Sequence, residues 1–489
     1  MNKLKISNKE LRSLGIKHPE ILMAIGRVAN RILKQSLLTK EKILEAIAEM
    51  VTNPDDSNWS QKHLHDLYQV VKKEMKDFKS VSASNEISKN VIIAEKVMPF
   101  PIYGIENIET GAVSQMEISM RLPIALQGAL MPDAHEGYGL PIGGVLATSE
   151  NTVIPYAVGV DIACRMCLSV FPVEVERIDL KRKQLRELLF KHTVFGVGAK
   201  NQSHLNPEVF DKSEWSATKF IRQHRDLAYS QLGTSGAGNH FVEWGVLNVQ
   251  QDLPEKNLPV GSYLALLSHS GSRGFGNEVA SYYSKIAMDR IVLPREARHL
   301  AWLDLKSQEG QEYWIAMTFA GQYASANHHE IHGKISKDLG MNPISVIENH
   351  HNFAWKETLA DGRKAVVHRK GATPANAGAI GVIPGSMTHP GFVVRGKGNV
   401  LSLNSASHGA GRRMSRSQAI KAFSLSDLQQ VLEKYGVELI GGDTDEIPMA
   451  YKNIHTVMNL QQDLVEVIAK FQPFLVRMAD PERRGFRKR

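Results

Sequence analysis

The sequence predicts an α+β protein in which a helical N-terminal segment precedes a larger body of mixed strands and helices. Residues 1–85 carry apolar side chains at three- and four-residue steps, as in HPEILMAIGRVANRIL and KEKILEAIAEMV, and this periodicity indicates amphipathic helices. From residue 91 to 480 the pattern changes to short β-branched runs, such as VII at 91–93 and AVV at 365–367, separated by glycine clusters and helical stretches. Such alternation is typical of a mixed body.

A Ser-rich polar segment at residues 77–90, DFKSVSASNEISKN, separates the two parts. A polar stretch without apolar periodicity is typical of a loop or linker. We therefore predict a helical N-terminal extension over residues 1–85 and a second domain over residues 91–480.

The composition indicates a folded protein. Of its 489 residues, 43% are hydrophobic and 22% are charged, which are ordinary fractions for a globular chain. The formal net charge of +8 would favour a polyanionic partner such as RNA, although a slightly basic solvated surface explains it equally well. No apolar stretch approaches the roughly 20 residues that span a bilayer, and the N-terminus has no apolar signal core. We therefore expect a cytoplasmic protein without a membrane partner.

The two cysteines, Cys164 and Cys167, lie in one CRMC run, so a secreted disulfide framework is not expected. Asp161 and Cys164 in GVDIAC could turn a carboxylate and a thiolate towards one divalent ion. The alternative is a capping aspartate and a small buried cysteine. A zinc ribbon would need a second CxxC pair, which the sequence lacks, and a redox pair would open a helix, whereas CLSVF indicates a strand. Metal ligation is therefore favoured.

Three histidines lie in similar loops rich in glycine or polar residues: His240 in GTSGAGNHFVEWG, His269 in LSHSGSRGFG and His351 in ENHHNFAWKE. Imidazole binds manganese, iron or zinc, and the hard carboxylate of Asp161 favours a site that is not purely a zinc site. Each histidine taken alone is more often a hydrogen-bonded structural residue. Their joint occurrence favours a metal site.

A fourth segment, NSASHGAGRRMSRS at residues 404–417, combines His408 with two glycines and with Arg412, Arg413 and Arg416. Glycines let the backbone approach phosphate, guanidinium groups bind it, and a neutral imidazole is a competent nucleophile for a nucleotidyl group. The alternative is a basic turn before a helix. The loops HRKGATPA and VIPGSM could cradle a nucleotide, although neither the Walker A pattern nor a Rossmann pattern after a clear strand occurs.

Nine motifs follow one another along the chain: MPDAHEGYGLPIGGVLA, VGVDIAC, GAGNHFVE, HSGSRG, HNFA, HRKGAT, PGSM, HGAGRRMSRS and DEIPMAYK. Over residues 91–480 the sequence resembles the RtcB family of RNA ligases. The resemblance implies a single α+β catalytic domain of the RtcB type behind the helical extension. It also implies an enzyme that uses GTP and manganese to join an RNA 3′-phosphate or 2′,3′-cyclic phosphate to a 5′-hydroxyl end, in tRNA splicing or RNA repair.

By the same resemblance, His408 would be the nucleophile that carries GMP covalently, and Arg273 and Arg412 would bind RNA phosphate. Two manganese ions would be held by Asp161, Cys164, His240, His269 and His351. The guanylate pocket would be lined by Asn239, Glu243, Asn352, Pro384, Gly385, Ser386, Met387, Gly409, Ala410, Gly411 and Tyr451. The partners implied are RNA with these ends and an archease-like activator, and we expect a monomer.

The sequence departs from the family pattern at several positions. Ala163 and Arg165 replace an asparagine and a glycine of the usual DINCG run, and Met478 stands where the family has a lysine that contacts GMP, with Arg477 beside it. We therefore identify a divergent paralogue. Two alternatives stay open: a manganese-dependent phosphodiesterase that opens cyclic phosphate ends without sealing them, and a non-catalytic RNA-end-binding module.

Overall fold

The computed structural model describes residues 5–14, 16, 19–35, 37–52, 62–78, 89–173, 175–204 and 208–481. Residues 79–88, which hold most of the linker predicted at 77–90, lie outside this part of the chain, so the domain boundary stays a prediction. Helices and strands are both abundant, and the α+β class is confirmed. Within the described ranges, no helix is long and apolar enough to cross a membrane.

The N-terminal extension contains the helices α1 (Asn8–Ser13), α2 (Pro19–Lys34), α3 (Lys40–Thr52) and α4 (Lys62–Phe78). α1 begins with a capping box, in which the side chains of Ser7 and Glu10 each accept the other's backbone N–H. The helices share one core, because residues three and four apart fall on the same face of each helix. Its buried side chains include Leu11, Leu22, Ile25, Ile43, Ile47, Leu67 and Val71.

A large sheet lies at the centre of the body. Its strands, in spatial order, are β10 (Ser345–His350), β5 (Arg165–Phe171), β7 (Gly261–Ser270), β6 (Phe241–Val249), β18 (Val465–Met478), β15 (Gly391–Gly396) and β14 (Ile380–Ile383), with β17 (Glu438–Ile440) beside β18. Only the β17–β18 pair is parallel; the other neighbours are antiparallel.

A second, antiparallel sheet has the order β11 (Phe353–Thr358), β12 (Lys364–Lys370), β3 (Ile142–Ser149) and β2 (Ala125–His135). Three short strand pairs complete the described β-structure: β1 (Lys89–Asn90) with β8 (Ile291–Val292), β4 (Thr152–Val153) with β9 (Leu303–Asp304), and β13 (Ala372–Pro374) with β16 (Ser405–Ser407). The last pair matters for function, because His408 follows β16 directly.

Helices cover the sheets of the body. They are α5 (Thr110–Ser119), α6 (Pro155–Val158), α7 (Ile178–His192), α8 (Lys219–Gln223), α9 (Arg225–Gln231), α10 (Arg273–Arg290), α11 (Gln308–Leu339), α12 (Arg416–Ala422), α13 (Leu425–Tyr435) and α14 (Ile454–Asn459). α11 shares a buried core with the large sheet, in which Ile331 and Ile335 join Phe171, Trp244 and Leu266. The packing of α11 against one face of the sheet supports the sheet and fixes the positions of its strand ends.

Candidate active site

One edge of the large sheet gathers four of the predicted metal ligands, because neighbouring strands begin or end there. Cys164 precedes β5, His240 precedes β6, His269 is the penultimate residue of β7, and His351 follows β10. The antiparallel register of β10, β5, β7 and β6 places all four residues at the same edge. Residues far apart in the sequence therefore become neighbours.

The side chains of these residues and of Asp161 form a compact cluster of donor atoms. Cys164 Sγ lies 3.0 Å from His269 Nε2 and 3.4 Å from His240 Nε2. His240 Nε2 lies 2.9 Å from Asp161 Oδ2, and His269 Nε2 lies 3.3 Å from His351 Nε2. The five predicted ligands are thus adjacent in space.

The chemistry of this cluster fits a metal ion. His269 Nδ1 lies 3.0 Å from the carbonyl oxygen of Asn239, and donation to that oxygen directs the lone pair of Nε2 into the cluster. Burial, together with the nearby charge of His240, lowers the pKa of His269 to about 3, so the ring is neutral, as a metal ligand must be. Burial and the adjacent Asp161 raise the pKa of the Cys164 thiol, and a bound cation would stabilise its thiolate.

Local backbone geometry brings Asp161 into the cluster. Ala163 has a left-handed φ of 54°, its N–H donates to the carbonyl oxygen of Asn352 at 2.8 Å, and Asn352 Nδ2 donates to the carbonyl oxygen of Asp161 at 3.2 Å. A Cβ at Gly271 would lie 2.0 Å from Asp161 Oδ1. A glycine is therefore required at position 271 to leave room for the carboxylate.

His408 lies beside this cluster, with its ring centroid 4.8 Å from that of His351. Its Nδ1 lies 2.7 Å from Asp133 Oδ2, which also accepts the backbone N–H groups of His408 at 3.1 Å and Gly409 at 3.3 Å. Burial alone would raise the pKa of Asp133, but the hydrogen bond and charge of His408 outweigh it and lower the pKa. The carboxylate therefore holds the proton on Nδ1 and leaves the lone pair on Nε2.

These groups line one cavity of about 440 Å³, a size suited to a nucleotide-like ligand. The predicted guanylate-pocket residues all contribute to its wall: Asn239, Glu243, Asn352, Pro384, Gly385, Ser386, Met387, Gly409, Ala410, Gly411 and Tyr451. Glu243 on β6 is almost fully buried, and burial raises its pKa well above the ordinary value. A buried carboxyl group that faces a cavity is a candidate for ligand recognition.

Comparison with known proteins identifies the family of this chain. The family model described as tRNA-splicing ligase RtcB matches residues 115–479. The chain belongs to the RtcB family. The RNA-splicing ligase RtcB of Escherichia coli K12 is 33% identical over 390 residues, which cover 74% of this chain and 92% of that relative. The tRNA-splicing ligase RtcB of Nanoarchaeum equitans is 31% identical, with 74% of this chain and 90% of the relative covered. That of Methanococcus maripaludis is 29% identical, with 75% and 91% covered.

The two arginines that the RtcB resemblance assigns to RNA phosphate bind other protein groups in this structure. Arg273 is 8% exposed, and its guanidinium donates to Thr234 Oγ1 at 2.9 Å and to the carbonyl oxygen of Gly196 at 2.7 Å. Arg412 lines the cavity and pairs with Glu446 at 2.8 Å. Of the predicted site residues, Arg273 is the one outside the described cavity wall.

Several titratable residues of the RtcB cavity region were not predicted from sequence, among them Asp133, His135 and Lys370. Lys370 Nζ donates to the carbonyl oxygen of Tyr138 at 2.5 Å, and burial lowers its pKa to about 7. Burial lowers the pKa of His135 to about 4. All three lie in the motifs MPDAHEGYG and HRKGAT. The sequence signal that could have identified His135 and Lys370 is a polar side chain near a glycine at the end of a strand.

The residues that depart from the RtcB pattern either bind other protein groups or line the cavity. Arg165 Nη1 pairs with Glu348 Oε2 at 2.6 Å. Met478, the last residue of β18, lines the cavity and is 5% exposed. The guanidinium of Arg477 bonds to Asp480 Oδ1 at 2.8 Å, so it does not take the place of a cavity lysine.

Cys167 does not pair with Cys164, and both cysteines are free. Cys167 Sγ lies 3.5 Å from Glu348 Oε1 and 3.9 Å from His332 Nδ1. With His328 and His332 it forms a second group of donors, but hydrogen bonds already occupy both ring nitrogens of each histidine, through Ser169, Ser268 and the carbonyl oxygen of Ser270. This second cluster is therefore satisfied without a metal, and it fixes α11 to the sheet.

Proposed function

We propose that this chain is an RNA ligase that uses GTP and manganese to join RNA 3′-phosphate or 2′,3′-cyclic phosphate ends to 5′-hydroxyl ends. The observation that carries the proposal is the position of His408, whose ring centroid lies 4.8 Å from that of His351. One cavity thus contains a nucleophile and a cluster of metal-binding groups. The names of the relatives, RNA-splicing or tRNA-splicing ligase, support the joining of RNA as the reaction.

Two manganese ions would be held by Asp161, Cys164, His240, His269 and His351, and the bound cations would offset the negative charge of phosphate groups in the buried cavity. The carboxylate oxygen and the imidazole nitrogens suit manganese, whereas a site of thiolates alone would suit zinc. Asn239 and Asn352 orient the donors, since their contacts reach His269 and Asp161.

His408 performs the first transfer. Its Nε2 attacks the α-phosphorus of GTP, a phosphorus–nitrogen bond forms, and the bond to pyrophosphate breaks. Asp133 stabilises the positive charge that develops on the ring, because its carboxylate lies 2.7 Å from Nδ1. The N–H groups of the guanine edge would donate to Glu243 and stabilise its carboxylate against the burial that raises its pKa. This double acceptor distinguishes guanine from adenine.

The RNA 3′-phosphate then displaces the histidine from the phosphorus of GMP. An oxygen of the RNA 3′-phosphate attacks the phosphorus of GMP, and the bond to His408 breaks, which leaves an RNA 3′-guanylate. The 5′-hydroxyl of the second end attacks the 3′-phosphate, its proton passes to water, and GMP leaves as the phosphodiester forms. Lys370 and Arg412 lie on the cavity wall, where they would bind phosphate oxygens. Arg273 and Arg412 would exchange internal hydrogen bonds for RNA contacts.

One observation favours a second candidate. Met478 places an apolar side chain on the cavity wall, where related proteins are expected to carry a lysine against GMP. Weak guanylylation would leave a manganese-dependent phosphodiesterase that opens cyclic phosphate ends without sealing them. The physiological role would then be end processing in RNA repair, whereas full ligation would serve repair or tRNA splicing, with an archease-like activator as a further partner.

The proposal is tested by incubating the protein with manganese and GTP labelled in the α-phosphate, with and without an archease-like activator, and counting the label that stays on the denatured protein. We expect covalent GMP on the wild type and none on His408→Ala. Ligation of RNA with a 3′-phosphate and a 5′-hydroxyl is then scored separately. Label retained by His408→Ala contradicts the mechanism, and opening of cyclic ends without any label favours the phosphodiesterase.

A further inference from the structure

A groove separates the N-terminal extension from the catalytic body. It has a volume of about 640 Å³ and is lined on one side by the start of the chain and α2, and on the other by residues 213–222. Five of its lining residues are basic: Lys5, Arg27, Arg31, Lys34 and Arg222. Among the described lining residues none is acidic, so the groove is positively charged in a chain whose total excess is only +8.

The basic side chains form an ordered row. Arg27, Arg31 and Lys34 lie four and three residues apart on α2, which places them on one helix face over roughly 10 Å. Lys5 and Arg222 add positive charge from the other walls, and all five residues are exposed. A row of this length can follow several successive charges of an extended polyanion.

Among the residues that the structure describes, little of this charge is neutralised. Asp66 lies 3.3 Å from Arg31, and both side chains of that pair are more than half exposed. A surface pair of this kind is weak, since water and salt screen it. Like charges held side by side repel one another, and a bound anion would reduce this repulsion.

The groove has fixed walls, because the extension is bonded to the body. Asn8 Nδ2 donates to the carbonyl oxygen of Ser216 at 2.7 Å, and Arg12 pairs with Glu312 at 3.6 Å. Met23 of α2 packs against the main core of the body. On the extension side, Asn30 is bonded to both the N–H and the carbonyl oxygen of Ile6. The cations are thus held at a seam between the two parts.

We propose that this groove binds the sugar-phosphate backbone of single-stranded RNA at a distance from the ends being joined. The inference rests on the proposed function as an RNA ligase. The groove is concave and walled, and its cations, asparagines, serines and glutamine surround the apolar side chains of Ile6, Leu22 and Met23. This lining suits a strand of phosphates and riboses, whereas a membrane surface would need a flat or convex basic patch. The extension lies outside the family match at residues 115–479, and it would give this chain an additional RNA-binding surface.

The test compares Arg27→Glu/Lys34→Glu with the control Lys9→Glu/Lys42→Glu, which makes the same charge change on exposed positions of the extension outside the groove lining. Binding of a fluorescein-labelled single-stranded RNA with a 3′-phosphate is measured by anisotropy at several salt concentrations. The groove variant should bind about ten-fold more weakly or worse, and the slope of log affinity against log salt should fall by about 1.4, as expected for two lost phosphate contacts. The control should match the wild type.

Covalent GMP labelling is measured on the same proteins, because it reports on the catalytic cavity alone. Unchanged labelling with weakened RNA binding supports the groove. Equal RNA binding by the groove variant and the control overturns the inference, as does wild-type binding to anionic lipid vesicles with none to RNA. Absence of labelling in the wild type would instead refute the proposed function. If the groove variant loses labelling, Arg27→Gln/Lys34→Gln, a milder change, replaces it and the same criteria apply.

Discussion

Replacing Asp133 with asparagine isolates the effect of its charge on His408. The Oδ2 atom of Asp133 accepts from the His408 ring and from two backbone N–H groups, and an amide oxygen can occupy the same place. The proton would therefore stay on Nδ1, and only the negative charge would be lost. A hydrogen bond to a charged group contributes about 1.5–3 kcal/mol and a neutral one about 0.5–1.5 kcal/mol, so the loss of charge costs about 1–1.5 kcal/mol and slows the transfer of GMP roughly five- to thirteen-fold.

The assay is the single-turnover rate of labelling with GTP, together with the dissociation constant of GTP, which should change little because Asp133 faces the histidine. The matched control is Glu357→Gln, which breaks the ion pair of Glu357 with buried Arg369 at 2.6 Å away from the cavity lining. It should lower stability without slowing labelling of the folded protein. A wild-type labelling rate in Asp133→Asn would refute the assigned role, and an equal loss in both variants would point to damage of the fold.

Further predictions concern the metal, the base and pH. Cys164→Ser should weaken manganese binding, measured by calorimetry, by about ten-fold or more, because a hydroxyl replaces the thiolate; an unchanged affinity would remove Cys164 from the ligand set. Glu243→Gln should reduce the labelling ratio of GTP over ATP by about ten-fold or more, because the base loses a double acceptor; a constant ratio would contradict guanine recognition there. Burial lowers the pKa of Lys370 from 10.5 to about 7, so between these values the unfolded chain holds a proton that the folded chain lacks, and stability rises with pH. From about pH 7 to pH 9 the wild type should gain about 2 kcal/mol relative to Lys370→Met in urea unfolding, whereas parallel profiles would show that the buried amine stays charged.

The α+β class was predicted from the sequence. The five candidate metal ligands were also predicted, because their motifs carry donor side chains in loops rich in glycine or polar residues. The sequence could not show why they meet. That outcome depends on the antiparallel register of β5, β6, β7 and β10, which pairs residues as far apart in the sequence as Arg165 and His350. Such long-range pairing leaves no trace in local periodicity. The CxxC alternative for Cys164 and Cys167 was decided by the same sheet, in which the two thiols contact different groups.

The hydrogen-bond partners of the site residues within the protein were harder to predict than the candidate metal ligands. Asp133 looks like an ordinary residue at the end of a strand, and its role follows only from the return of the chain at His408, 275 residues later. The family resemblance assigned Arg412 to RNA phosphate, but its acceptor in the folded chain is Glu446, which lies 34 residues away in the sequence. A charge row on one helix, such as that of α2, is visible in the sequence, whereas the wall at Arg222 that turns it into a groove is a property of the folded chain.

The position of the donor cluster at the sheet edge has a consequence for how the protein responds to metal supply in the cell. Its members lie at or next to the ends of four strands, and these strands are held in register by their own backbone hydrogen bonds and by buried cores on each face. A bound ion would therefore find its complete set of donors only after the chain has folded, and its binding energy would add to a structure that already exists. Under manganese shortage we expect a reserve of folded, idle protein, so that metal supply would regulate RNA joining without new synthesis.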